Sequence, residues 1–493
     1  MQYGKFYRIL SGLLPLALLS CGSEGGHESL NPIAEKALND TASVYYNDFS
    51  AYRRDISALP VGVFGCGVNS FGVTEELLAI DCFDNITGAL RPDGIADFGG
   101  ENIQLLTDLA NGPYEGYVSS GNVDYLQEQV LRNALFLMGG SYYNLVEDEY
   151  RSGYKEPVKL IIVSSPTADL YGMSVLDAFL KESGTGVKAV GVTEAAVKEA
   201  VSDIDEEGHL CVGVMYPPDG VSSIEYEKMI RQMAASKNQS ADRIQILNQE
   251  AVGLAAAING DTAYVDTVAT AARSSYAGPV TGISYNNIDI SLFDRYGFET
   301  SGHALLYARR GTLSGVQLNS VENYVRFHLV SMIERHRRSG STVPISSIIL
   351  VDPGYSQAVD IMRQVVDELY NFKRGGVYLY RNSISPDVKF INPAESAVME
   401  AYRILRQDNH LALRGEKTEL MPFVSMPSGS LSADALNADG SMKDSFKFGR
   451  QSGTEDISTK VVPFAPGYVG EDLLNYVGRN SSRTFSMIRN SLY

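Results

Sequence analysis

The stretch PVKLIIVSSPTADLYGMSVLDAFLKESGTGVKAVGV, residues 157–192, decides the fold. Its opening apolar run stops at Ser164, Ser165 and Pro166, as a strand buried on both faces does. A helix-compatible segment, MSVLDAFLKES, follows, then Gly184 and Gly186, then the apolar run VKAVGV. The alternation continues with a helix in TEAAVKEAVSDID, a strand in HLCVGVMY and a helix in SSIEYEKMIRQMAAS. Strands and helices in strict alternation with short turns predict a parallel sheet covered by helices.

Working outward, SSIILVDPGYSQAVDIMRQVVDELYNFKRGGVYLY (346–380) repeats the grammar: strand, Pro-Gly turn, helix, Gly-Gly turn, strand. The fold class expected is therefore α/β, as two Rossmann-like lobes with parallel sheets flanked by helices. The division expected is a first α/β region over 59–285 and a second over 286–493, with a flexible Ser/Asp/Gly-rich insertion at 427–460. Upstream, LPVGVFGCG (59–67) reads as a short buried strand, and Val123–Met138 as a helix with Leu126, Val130, Leu131, Ala134 and Leu135 on one side. The Gly- and Asn-rich text from 68 to 120 predicts loops around one helix near 101–110.

The first residues carry a different message. Lys5 and Arg8 precede an uncharged run from Ile9 to Ser20, too short to span a bilayer as a helix, which takes about 20 apolar residues. Leu18-Leu19-Ser20-Cys21 resembles the lipobox of bacterial lipoproteins. That resemblance implies a signal peptide over 1–20, lipidation of Cys21 and attachment to the membrane through the lipid. Gly22 in place of an Asp implies the outer membrane, on its periplasmic or surface face. Residues 21–58 would then be a tether, with GSEGGHESLNP as spacer and a leading amphipathic helix over 31–57.

Composition narrows the function. The chain has 493 residues, which predicts more than one domain, and a formal net charge of −18. A nucleic-acid binder needs a basic surface to displace counterions, so no nucleic-acid partner is expected. Besides Cys21 there are Cys66, Cys82 and Cys211; one disulfide, Cys66 to Cys82 being nearest in sequence, or none can form. Cys211, inside LCVGVMY, reads as a small buried hydrophobe.

No local spacing signals a cofactor or a metal. The six histidines, at 27, 209, 303, 328, 336 and 410, form no HExxH or His-x-His pair. His328 and His336 share a helix whose basic end suits its own dipole. Neither a G-x-S-x-G elbow nor a phosphate-binding P-loop occurs, and Gly65-Cys66-Gly67-Val68-Asn69-Ser70 lacks the third glycine of a dinucleotide fingerprint.

In open parallel sheets, ligands bind beyond the carboxyl ends of the strands. The polar residues expected there are Asn69 and Ser70, then Ser164, Ser165, Thr167, Asp169 and Tyr171, then Tyr216 and Asp219, Tyr285 and Asn286, and Asp352 and Tyr355. Each alone reads as a turn residue or helix cap; their recurrence predicts a pocket. Residues 158–236 also resemble one lobe of type I periplasmic binding proteins, through Asp169-Leu170-Tyr171-Gly172 followed by Phe179. The resemblance implies two lobes around a cleft, with Ser165, Asp169 and Tyr171 at its rim. The leading expectation is a lipid-anchored extracytoplasmic protein holding a small polar ligand between lobes without chemistry. The alternatives are an extracytoplasmic hydrolase using Asp169, Asp219 or Asp352, and a subunit of a surface lipoprotein assembly with envelope protein partners.

Overall fold

The computed structural model describes residues 30–43, 46, 52, 56–218, 223–283, 286–310, 313–412, 417–453 and 457–491. Cys21, Asp219, Tyr285 and the expected signal peptide lie outside the described residues. In chain order the principal elements are α1 (Pro32–Asn39), β1 (Val61–Gly65), α2 (Asn69–Ala79), β2 (Ile103–Thr107), α3 (Val123–Met138), β3 (Leu160–Val163), α4 (Pro166–Ser183), β4 (Lys188–Gly191) and α5 (Val192–Val201). Next come β5 (Leu210–Tyr216), α6 (Ser223–Ser236), β6 (Ile244–Glu250), α7 (Val321–Ser339), β7 (Ile345–Leu350), α8 (Val359–Asn371) and β8 (Ile384–Ile391). The chain ends with α9 (Pro393–Gln407), β9 (Leu420–Pro427), β10 (Thr459–Pro463), α10 (Glu471–Asn480) and α11 (Ser482–Ser491). Among the described residues no helix is long and apolar enough to cross a membrane.

Two sheets result. The first has the order β10-β9-β2-β1-β3-β4, parallel except for the antiparallel edge strand β10; the second, β8-β7-β5-β6, is wholly parallel. Strands β1, β2 and β3 are buried at every position, which explains their mainly apolar text; Gln104 and Thr107 of β2 are buried polar exceptions. Helices α2, α9 and α11 cover one face of the first sheet, and α3 and α4 the other.

The sheets do not divide at residue 285. Strands β5 and β6 pair with β7 in the second lobe, whereas β9, far downstream, pairs with β2 in the first. The chain thus enters the second lobe between Val201 and Leu210 and returns between Ile391 and Pro393. Helix α5 belongs to both: Val192 and Ala195 pack on the first sheet's core, while Ala196, Val197, Ala200 and Val201 pack on β5 and β7.

Other expectations also shift. The helix expected near 101–110 is the strand β2, since a short run such as IQLLT reads alike as buried strand or helix segment. VYLY contributes only Val377–Tyr378, paired with Lys373–Arg374 in a small antiparallel hairpin; the parallel strand after α8 is β8. Of the expected leading helix, α1 covers Pro32–Asn39. The described part of the 427–460 insertion is anchored: the Lys447 ammonium donates to the Gly112 carbonyl at 2.8 Å and Arg450 reaches Asn111 and Tyr117. Cys66, Cys82 and Cys211 are all free thiols.

Candidate functional site at the lobe boundary

Three strand ends share one device, a polar residue followed by proline. Proline suits the first helical position because it has no N–H to satisfy, and the preceding side chain caps the turn. Ser165 accepts from the Ala168 N–H (3.4 Å) ahead of α4, and Asn392 from the Ala394 N–H (3.1 Å) ahead of α9. Asp352 accepts from the Gly354 N–H (2.8 Å), opening a 3-10 turn over Pro353–Ala358. Pro166, Pro353 and Pro393 then meet around a cavity of about 20 Å³ that Asn69, Ser164, Val351 and Asn392 also line.

This is the lobe boundary: α4 starts in the first lobe, the 3-10 turn in the second, and α9 on the chain's way back. A second cavity of about 70 Å³ continues from it past Gly72, Glu76, Pro353 and Tyr476. On the far side of Asn392 a groove of about 520 Å³ runs between α5, α8, β8 and α9. Asn392 touches all three spaces and donates to Glu76 Oε1 at 3.0 Å.

The electrostatics are those of carboxyls drawn from water. Burial, reinforced by Glu395, pushes the Glu76 carboxyl up from 4.5 to about 7, and burial also raises Glu395 and Asp352. Burial pushes the Cys66 thiol, beside Ser165, up to about 12, so it stays protonated at neutral pH. The Tyr355 hydroxyl is buried next to Asp352 without a hydrogen-bond partner. Among the described residues no group of three or more His, Cys, Asp or Glu side chains is placed to hold a metal.

Of the strand-end residues expected to line a ligand, Asn69 and Ser164 line this cavity; Ser165 and Asp352 cap the turns whose prolines, Pro166 and Pro353, line it, with Tyr355 behind Asp352. The others do not. Ser70 is buried, bonding Thr107 Oγ1 at 3.1 Å. Asp169 caps α5 from below, accepting from the Thr193 (2.5 Å) and Glu194 (3.1 Å) N–H groups, with Tyr226 of the second lobe beside it. It is 2% exposed, so it is not a rim residue. Tyr171 packs with the α3 and α4 core on one face of the first sheet. Tyr216 lies against the core between α5 and α6, and Asn286 bonds Glu250 in the second lobe. Glu76, Asn392 and Glu395 were missed; for Asn392 the signal was present, an Asn-Pro pair after a strand like Ser165-Pro166.

The fold and this boundary define a class: a two-lobed α/β protein whose polar strand ends face the junction of its lobes. No family profile matches the sequence, and no curated protein matches it. Among solved structures it is similar to glutamate racemase isoform RacE1 from Bacillus anthracis, with a TM-score of 0.40 and 15% identity over 75% of this chain and 89% of that one. It is similar also to the glutamate racemases of Francisella tularensis in complex with D-glutamate (0.37, 14%, 75% and 88%) and Campylobacter jejuni (0.35, 14%, 76% and 94%).

Proposed function

We propose that the chain is a lipid-anchored extracytoplasmic solute-binding protein, tethered through Cys21, that holds a small polar ligand at the lobe boundary without chemistry. The observation that carries this reading is the convergence of turns from both lobes, capped by Ser165, Asp352 and Asn392, whose prolines Pro166, Pro353 and Pro393 line one space. Helix N-termini present partial positive charge and N–H donors, so a ligand with an acidic or carbonyl oxygen suits them. The protonated state of Cys66 and the engagement of the Ser165 hydroxyl as a cap argue against a nucleophile. At about 20 and 70 Å³ the inner cavities hold little more than water, so a ligand enters from the 520 Å³ groove or by parting Gly72 from Pro353.

Titration calorimetry of the mature protein with a panel of small polar metabolites tests this. Binding of one class, weakened about tenfold or more by Asn69→Leu or Asn392→Ala, is the expected result. No binding across the panel, or binding that ignores both substitutions, rejects it.

One observation favours a second reading, a hydrolase: Glu76, raised to about 7 and lining the boundary, is poised for proton transfer near neutral pH. That reading predicts turnover lost in Glu76→Gln, whereas the binding reading predicts an unchanged ligand at the end of incubation.

A further inference from the structure

The hairpin after α8 reads FKRGGVYLYR over residues 372–381, three cations and no acid in a chain of net charge −18. Its base is fixed. Phe372 and Leu379 pack against the second lobe's core, the Leu379 N–H donates to the Phe372 carbonyl (3.0 Å), and the buried Tyr380 donates to Glu334 Oε2 (2.9 Å). Across the Gly375-Gly376 turn Lys373 pairs with Tyr378 and Arg374 with Val377, and all four are exposed, Val377 at 69%.

The tip concentrates positive charge. Lys373 Nζ lies 4.4 Å and the Arg381 guanidinium 3.3 Å from the centre of the Tyr378 ring. Neither they nor Arg374 meets a carboxylate among the described residues. Arg381 donates to the Tyr370 carbonyl (3.4 Å) and so serves the end of α8, whereas Lys373 and Arg374 bond no carbonyl of that helix among the described residues. Hydrogen bonding from Lys373, with the charge of Arg381, holds the Tyr378 hydroxyl below its ordinary pKa, as a positive local potential does.

The acids nearby do not cancel that charge. Glu334, under Tyr380, takes Arg295, Arg337 (2.7 Å) and Arg338 (3.0 Å), and Asp289 stands 3.9 Å from Arg338. Glu368 pairs with Arg326 (2.6 Å), and Asp367 and Asp387 line the groove beside α8.

We propose that this hairpin is a contact surface for anionic phospholipid headgroups and sets how the second lobe sits on the membrane. Lys373 and Arg374 meet phosphates, while the Tyr378 ring and Val377 settle at headgroup level, where amphipathic rings are favoured. The inference rests on the anchor proposed at Cys21. One cation strengthens attraction to an anionic surface only about fivefold. So small a patch acts on a chain already held at the bilayer, where its effective concentration is high, and a soluble polyanion would lack that help.

The chain has no Trp, so Val377→Trp places the sole indole at the tip. The mature chain, with a histidine tag in place of the acyl group, is held on vesicles by a nickel-chelating lipid. Emission should shift to the blue when phosphatidylcholine vesicles contain phosphatidylglycerol, and not on phosphatidylcholine alone. The shift should vanish in Lys373→Gln/Arg374→Gln and in 1 M salt, where charges are screened beyond about 3 Å. Slowed amide exchange over 373–378 in the chain that keeps Val377 is the second readout, and it decides if the Trp variant fails to fold. No response with phosphatidylglycerol, an equal response on phosphatidylcholine alone, or one that survives loss of both cations overturns the proposal. Because the tag replaces the lipid, those outcomes leave the anchor standing. Native protein without acyl mass on Cys21 would instead reject the anchor, and the orientation with it, whatever the hairpin does on vesicles.

Discussion

Asp169 shows how much one buried carboxyl can govern. Burial, only partly offset by the Thr193 and Glu194 N–H groups, lifts it from 3.8 to about 7, and its Oδ1 has no hydrogen-bond partner. Below about pH 4 the carboxyl is protonated whether the chain is folded or not. Between there and pH 7 the folded state keeps a proton that the unfolded chain has released, so stability from this group falls as pH rises and levels off above 7. Asp169→Asn should therefore leave the urea midpoint nearly unchanged at pH 4 and raise stability at pH 8 by at least about 1 kcal/mol. A larger gain at pH 4 than at pH 8 would reject that account. At this scale Ser165 and Asp352 were legible, because a polar residue before proline at the end of an apolar run has a local cause. Glu76 and Glu395 were not: both carboxyls are raised by burial, with Glu395 reinforcing Glu76, and only the tertiary fold brings α2 and α9 together.

Among elements, the α3–α4 contact turns on Gly172. Alanine ordinarily improves a helix by about 1 kcal/mol over glycine. A Cβ at Gly172, however, would lie 2.6 Å from Val130 Cγ2 on α3, closer than packed carbons stand. Gly172→Ala should thus destabilise by about 1–3 kcal/mol, and Val130→Ala in the same chain should recover part of that loss. Additive effects in chemical denaturation would show that the helices do not meet there. The glycine was visible in sequence as part of Asp169-Leu170-Tyr171-Gly172, but its partner was not. The misread β2 teaches the same lesson. The five residues IQLLT carry no period that separates strand from helix, whereas the 16 residues of α3 do.

For the whole molecule, the alternation after residue 157 made the two α/β lobes legible, because each strand–helix unit is written locally. Which strands share a sheet was not, since β9 reaches β2 across the entire second lobe. The lobes are also joined by apolar contacts: α5 seats Ala196, Val197, Ala200 and Val201 against the second sheet, and α9 brings Ala397, Val398 and Ala401 back to the first. Each lobe has a core of its own, but breaking either one exposes the shared helix, so the two cores are coupled through α5. Differential scanning calorimetry should show one transition, with van't Hoff and calorimetric enthalpies in agreement, and not two separated by ten degrees or more. Val197→Ala should lower that single transition without splitting it.

The late arrival of β9 also dictates how the polypeptide can be made. Until Leu420 leaves the ribosome, the outer edge of β2 is an unclaimed row of backbone amides and carbonyls, open to any other nascent strand. At about 10 residues per second that vulnerability lasts roughly half a minute. In a chain arranged in this way the second sheet, complete by Ile391, can form before the first, which closes only once β9 has been made.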